Sequence, residues 1–498
     1  MVIAAVAAMA LTILPIWYLV VRATEQGSAT FRSILFRERT LELLLRSLEL
    51  SVVVTFWTLV IGIGLAWIVT RTDIPFRRVV QVVVGLPLAL PSYVAAWSWI
   101  GFRPDLAGRA GATIVLVTIS YPYVYLPVMA ALRRCDPSLE DTARSLGHGS
   151  WSVFWRVTLP QVRAAAAGGG LLVGLYVLSD FGAVATMRHQ VLTSAIFDSY
   201  RTSFDRTPAA VLGCVLAALT VLIVVVEGLT RRRNASAKVG AGALRSQPIT
   251  RLGALRWPVL LVPAAVIGVS LGVPAWGMRE WLSRGTSRPD TEQFWTSVTN
   301  TLTVGALGAL AVVLLATPVA LLAVRHPGWL PRVAVRAAYA GHALPGVVVG
   351  LSMVFFGIRL ARPIYQELPL LVLAYVVLFL SLGIAVIQAA VAQIPPVLED
   401  VARSLGRTGL GAWRAVTMRL AAPGIGAAAT LVFLTIMKEL PATLFLRPTG
   451  FDTLATRLWS HTTGLTYAAA APYAIAIVVL AAIPTAALAT LGDRRSDP

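Results

Sequence analysis

Long apolar runs separated by short polar and basic stretches set the pattern of this chain. The runs fall at 2–21, 47–70, 79–102, 112–132, 164–187 and 208–229, then at 259–276, 298–324, 333–356, 370–392, 421–444 and 468–491. A helix needs roughly 20 apolar residues to cross a hydrocarbon core about 30 Å thick, and these runs are of that order. The pattern predicts an all-α polytopic membrane protein with about 12 transmembrane helices. A membrane β-barrel would show short alternating segments instead. The first run has no positive segment before it and no clear small-residue cleavage site, so it reads as a span and not as a signal peptide. No Lys or Arg precedes it, which leaves room for an upstream cytoplasmic stretch. Between the sixth and seventh runs lies 230–257, TRRRNASAKVGAGALRSQPITRLGALRW, which is basic, lacks acidic residues and is rich in Gly, Ser and Ala. It reads as a linker between a first half, 1–229, and a second half, 258–498.

The two halves follow one plan. PSLEDTARSLGHGSWSVFWRVTLP (137–160) is matched by PVLEDVARSLGRTGLGAWRAVTMR (396–419), with Gly147 and Gly406 lying 259 positions apart. Arg71 corresponds to Arg325 and Pro91 to Pro345 at an offset of 254, and Asp180 corresponds to Glu439 at 259. Six spans per half is an even number, so both halves take the same orientation. The expectation is two parallel six-helix repeats related by a pseudo-two-fold axis along the membrane normal. Lys and Arg are more numerous on the side carrying the repeated loops, 134–163 and 393–420. That bias predicts a cytoplasmic position for the loops, the linker and both termini.

Each repeated loop reads as helix, turn, helix. Pro137 and Pro396 suit a first helical turn. Leu139, Ala143 and Leu146 fall at i, i+4 and i+7, as do Leu398, Ala402 and Leu405, and predict one apolar face. Glu140 with Asp141, and Glu399 with Asp400, are expected on or beside the polar face near the helix N-terminus, where carboxylates are favoured. Gly147 and Gly406 allow the positive φ that ends a helix. An aromatic stretch follows (Trp151, Phe154, Trp155; later Trp413), and Leu159-Pro160 begins the return to the membrane. A short amphipathic helix can lie on lipid. Two copies with matching acids instead predict a protein partner with two matching grooves.

Composition supports the membrane reading and removes other classes. The chain is 57% hydrophobic and 13% charged, with mean hydropathy +0.76, against about 25% charged residues in soluble domains. A net charge of +19 would suggest nucleic acid in a soluble protein. Here the basic residues sit in short loops beside apolar spans, which points to topology and anionic lipid headgroups, with no nucleic-acid partner. Cys135 and Cys214 stand outside any CxxC or Cys/His pattern and read as small core residues. His148, His189, His326, His342 and His461 are scattered, so no metal site is expected. No paired carboxylates or His cluster marks a catalytic residue. No GxxxxGK[ST] loop is present, so any ATP hydrolysis belongs to a partner. Asp180 and Glu439 fall about two-thirds along their spans. A carboxylate in mid-membrane costs about 2.5–3.5 kcal/mol, so the pair predicts an acidic lining of a translocation path. The competing expectation is a helix end already in water, since Gly182 and Pro441 follow two residues on. One carboxylate per half is too few for a stable metal site. Pro87, Pro91 and Pro345 are expected to kink their spans.

DTARSLG…VTLP and DVARSLG…VTMR resemble the EAA loop of type I bacterial ABC importer permeases: E-A-A, three residues, Gly, then Leu-Pro about a dozen further on. Asp141-Thr142-Ala143 and Asp400-Val401-Ala402 fall on the EAA positions, with Asp in place of Glu, and Met418-Arg419 replaces the second Leu-Pro. SDFGAVATMRHQVLTSAIFDSY (179–200), KELPATLFLRPTGFDTLATRLWS (438–460) and the joining of two halves in one chain resemble the fused ferric-iron transport system permeases over nearly the whole length. The resemblance implies a coupling role for Glu140, Asp141, Ala143, Leu146, Gly147, Leu159 and Pro160, and for Glu399, Asp400, Ala402, Leu405 and Gly406. These would dock on an ATPase homodimer at the cytoplasmic face, with Asp141 and Asp400 in salt bridges to it. ATP–Mg would sit on that partner, leaving this chain without a cofactor. ATPase closure would rock the halves between inward- and outward-facing states. An extracytoplasmic binding protein would deliver ferric iron to this multi-pass protein of the bacterial inner membrane. Fused thiamine and aminoethylphosphonate permeases are similar and remain as alternatives. A secondary transporter with two parallel six-helix halves shares the plan but has no need of matched loops. A membrane enzyme or scaffold is disfavoured by the lack of a catalytic constellation.

Overall fold

The computed structural model describes residues 1–233, 249–284 and 290–493; most of the expected linker, 234–248, lies outside them. Among the described residues every regular element is a helix, and one isolated β-bridge pairs Thr72 with Thr250. Nine of these helices are long and apolar enough to cross a membrane: Val2–Thr24, Glu38–Arg71, Arg109–Leu132, Trp151–Ser179, Thr207–Val226, Gly253–Ser283, Thr291–Arg325, Leu368–Ala392 and Trp413–Met437. Two more spans are broken pairs. Arg77–Ala89 and Ser92–Phe102 meet at 98°, and Trp329–His342 and Gly346–Arg359 meet at 104°. A final apolar helix begins at Tyr467. The third span of each half is therefore a sharp elbow and not a kinked rod. Pro91 and Pro345 sit at the corner with extended ψ of 145° and 143°, and neither has an N–H to continue the preceding helix.

The fifth span of each half starts and ends earlier than the expected 164–187 and 421–444. Helix continues from Trp151 and Trp413 through a π turn, Phe154–Thr158 and Trp413–Thr417. It stops at Ser179 and Met437, where the backbone of Asp180 and Lys438 caps it.

The helices gather into two compact units. One takes Met1–Leu41, Ala195–Val221 and the described residues after 286; the other takes Glu42–Ser194 and the described residues from 222 to 284. The first span of each half thus lies in the unit built around the other half's inner spans. The boundaries at 229 and 257, which follow the repeat, do not divide the folded units. In the first unit Val2–Thr24 buries Ala5, Ala8, Thr12, Pro15 and Leu19 as one stripe. That stripe faces Trp329–His342 and Gly346–Arg359, and a Cβ on Gly341 would stand 3.2 Å from Thr12. In the second unit Val273–Ser283 lies on Ser92–Phe102. There a Cβ on Gly277 would come within 2.2 Å of the Ser98 carbonyl oxygen. Lipid is as apolar as the helices, so close approach through small residues, and not hydrophobic burial, holds such pairs.

Gly277→Ala is expected to lower unfolding stability in detergent by about 1–3 kcal/mol, the range for overpacking. Gly268→Ala, whose new methyl meets nothing within 4 Å, should leave it unchanged or raise it by up to about 1 kcal/mol. Thermal unfolding of the two variants side by side checks this, and equal effects would count against close helix contact at Gly277.

Candidate functional site

The first repeated loop folds as a short helix, Pro137–Ser145. Asp136 caps its start by accepting the Ser138 N–H at 2.9 Å, and Pro137 occupies the first turn, where a missing N–H costs nothing. At its end Gly147 takes φ 84°. The Gly147 N–H donates to the Arg144 carbonyl at 3.0 Å and the His148 N–H to the Ala143 carbonyl at 3.1 Å, a Schellman closure. The second loop folds as Val397–Ser404 and ends in the same way: Gly406 has φ 85°, with bonds of 3.0 Å to Arg403 and 3.2 Å from Arg407 to Ala402. A Cβ at either glycine would meet nothing within 4 Å, so the left-handed φ alone selects glycine.

Glu140 is not on the polar surface. Its side chain is 4% exposed and its Oε1 pairs with Arg71 Nη2 at 2.9 Å, the guanidinium being equally buried. The same oxygen accepts the Thr158 hydroxyl at 3.0 Å, and Oε2 meets Arg144 at 3.3 Å. Arg71 ends the Glu38–Arg71 span, and Thr158 lies in the π turn that opens the fifth span. One carboxylate therefore ties the loop helix to two membrane spans. The second copy repeats the arrangement. Glu399 pairs with Arg325 at 3.3 Å and accepts a hydrogen bond from Thr417, with both charged side chains 13–14% exposed. Cys135 lies beside the first clamp, and burial pushes its thiol up from the usual range, as suits an inert packing residue.

Asp141 and Asp400 face outward, with side chains 63% and 66% exposed, and pair with the local Arg144 and Arg403. The single apolar face expected at 139, 143 and 146 is split. Ala143 and Ala402 turn inward with the clamping glutamates, one helical turn away, while Leu139, Leu146, Leu398 and Leu405 are exposed. Leu146 and Leu405 also fall at the helix end, beyond the last regular turn. The exit from the loop is the same in both copies although Met418-Arg419 stands where Leu159-Pro160 stands in the first: the Leu159 N–H reaches back to Phe154 and the Met418 N–H to Trp413. The π turn thus does not depend on the proline. It places a threonine against the glutamate in each copy.

Comparison with known proteins accords with this geometry. The family described as binding-protein-dependent transport system inner membrane component matches twice, at residues 58–235 and 312–497. The chain is 35% identical over 475 residues to the Fe(3+)-transport system permease protein FbpB 2 of Haemophilus influenzae, covering 95% of this chain and 94% of that one. The chain belongs to this family. It is a fused ABC importer permease with two copies of the domain. Shorter relatives match part of the permease. It is 28% identical to the molybdenum transport system permease protein ModB of Escherichia coli over 38% of its own length and 92% of that protein. It is 29% identical to the sulfate transport system permease protein CysW of Synechocystis over 38% and 77%.

Asp180 and Glu439 sit at helix junctions. Asp180 follows the last residue of its span and caps the next helix, Gly182–Thr186, accepting N–H groups of Ala183 at 2.9 Å and Val184 at 3.3 Å. It is 6% exposed, so it is a helix-end residue but not one in water. Glu439 does the same for Pro441–Leu446, with its Oε1 accepting the Ala442 N–H at 2.9 Å. At the elbow Ser92 of the first half corresponds to Gly346 of the second, where a Cβ would stand 2.5 Å from Glu439 Oε1. Among the described residues no three His, Cys, Asp or Glu side chains gather to hold a metal ion.

Removing one partner of a buried ion pair costs about 3–5 kcal/mol. Glu140→Gln should therefore destabilise the permease by that order and Glu399→Gln by less, because its pair is longer and wetter. Asp141→Asn should change stability by no more than about 0.5 kcal/mol. Detergent unfolding of the three variants checks the ranking, and an Asp141 effect as large as that of Glu140 would contradict the clamp.

Proposed function

We propose that this permease imports ferric iron handed over by an extracytoplasmic binding protein and driven by a separate cytoplasmic ATPase. The observation that carries the cargo is the 35% identity spanning 95% of the chain and 94% of a protein named for Fe(3+) transport, whereas the sulfate and molybdenum relatives align with 38% of the chain. Thiamine and aminoethylphosphonate remain the alternative cargoes of a fused permease.

The drive reading is supported by the two matched loop helices. Each offers exposed leucines and an exposed aspartate to a groove, on a clamped root that is buried in the first copy and half-buried in the second. An ATPase homodimer supplies two such grooves and carries ATP–Mg. A pull on Pro137–Ser145 passes through Glu140 to Arg71 and Thr158, and so to the second and fifth spans at once. In this reading the loops and both termini are cytoplasmic, in the bacterial inner membrane, and Asp141 and Asp400 pair with basic residues of the ATPase. Asp180 and Glu439 border the translocation path; Glu439 Oε2, buried without a hydrogen-bond partner, supports that placement.

Gly147→Pro and Gly406→Asp force an L side chain, or a ring fixed near φ −65°, onto a left-handed turn. Both variants are expected to reach the membrane at normal levels yet lose the ATPase on pull-down. In cells without other ferric-iron uptake they should also fail to restore growth on ferric iron, which the wild-type system restores. Retained ATPase binding and growth in both variants would overturn the drive reading; growth on thiamine or aminoethylphosphonate in place of iron would overturn the cargo.

A further inference from the structure

The first clamp is crossed by a second segment of chain. Near the end of the expected linker, at 249–252, the chain runs back along the end of Glu38–Arg71. Thr250 pairs with Thr72 as a parallel bridge and donates its N–H to the Arg71 carbonyl at 2.8 Å. Two residues on, the Leu252 N–H donates to Asp73 Oδ1, also at 2.8 Å. Ile249 and Thr250 line a cavity of about 280 Å³ together with Trp67, Arg71, Glu140 and Thr158. The counterpart cavity at Arg325, Glu399 and Trp413 is about 550 Å³, and among the described residues no second bridge crosses it. The ion pair with the bridge is 2.9 Å long and 4% exposed; the one without it is 3.3 Å long and 13–14% exposed.

We propose that residues 249–252 are a strap that locks the first coupling site, with Asp73 as its positioning residue. Arg71 is held twice: the strap fixes its carbonyl, and its guanidinium fixes Glu140. A loop helix rooted on a residue held at both ends moves as one body with its spans. The strap continues through Gly253–Leu255 into the Arg256–Ile267 helix, so the span that opens the second half is tied to the first half's coupling helix. The bond to Asp73 ends on a charged acceptor, the stronger kind of hydrogen bond. This inference rests on the reading of Pro137–Ser145 as an ATPase dock.

The test is amide hydrogen exchange on the full permease in lipid nanodiscs, with ATPase capture measured on the same samples. Asp73→Ala removes one acceptor. Thr250→Pro removes the donor of the other bond without touching Asp73. Asp73→Asn keeps a side-chain carbonyl in the same place. In Asp73→Ala the Leu252 amide is expected to exchange about tenfold faster or more, the scale of one lost charge-assisted bond; in Thr250→Pro, which loses the neutral bond to Arg71, it should also quicken, by less. Exchange across 137–145 should quicken with it, while 397–404 stays as in wild type. ATPase capture should fall several-fold in those two variants and return in Asp73→Asn. Freed strap amides with unchanged exchange at 137–145, or with unchanged capture, would overturn the strap. So would equal quickening at 137–145 and 397–404. Exchange is read on the permease alone and decides the strap even if the wild-type chain captures no ATPase, an outcome that would sink the docking reading instead.

Discussion

A glutamate in the middle of a polar loop is buried under 4% exposure in this protein, and an ionised carboxylate in such a place must be paired. Arg71 meets that need from the end of the second span and Thr158 from the start of the fifth. The constraint explains several features together. The loop helix is only nine residues long because it must turn back to bring Thr158 to the same carboxylate. Gly147 supplies the left-handed turn that makes this possible. The π turn re-registers the fifth span so that the threonine points at the glutamate and not at lipid. The second half meets the same constraint with Arg325, Thr417 and Gly406, and its pair is longer and more exposed.

Clamping of this kind suits a part that transmits force. A surface salt bridge contributes little and yields easily, whereas a buried, threonine-braced pair moves with its helices. The outward aspartates and leucines are then free to serve a partner, since neither group holds the fold. The first half lends its first and last spans to the unit built on the second half, and the second half lends its first span to the other unit.

Much of this was legible in the chain itself. The repeat at 137–160 and 396–419, the helix-ending glycines and the apolar runs all carry local signals, and helices form over the runs, with the third spans broken and the fifth spans shifted. Partners distant in sequence were harder to see. Arg71 and Glu140 are 69 residues apart, and nothing local in either announces the other, although both recur in the second half. Periodicity misassigned Ala143 because a short helix with a buried acid turns its inward side to Glu140 and not to the leucines. The fifth spans were placed too late because a π turn full of aromatic and basic residues does not read as membrane helix. Pro91 and Pro345 announced a bend but not a right angle. Asp180 and Glu439 read either as mid-span charges or as helix-end residues in water, and the helices end beside them while Asp180 stays buried.

The drive is tested most directly by uptake into sealed proteoliposomes that contain the permease and its ATPase, with iron-loaded binding protein on the outer side. Ferric iron should accumulate only when ATP–Mg reaches the loop side, and accumulation should vanish when the ATPase is omitted. Accumulation by the permease alone, driven by an ion gradient without ATPase or ATP, would contradict a chain driven through its two clamped loops.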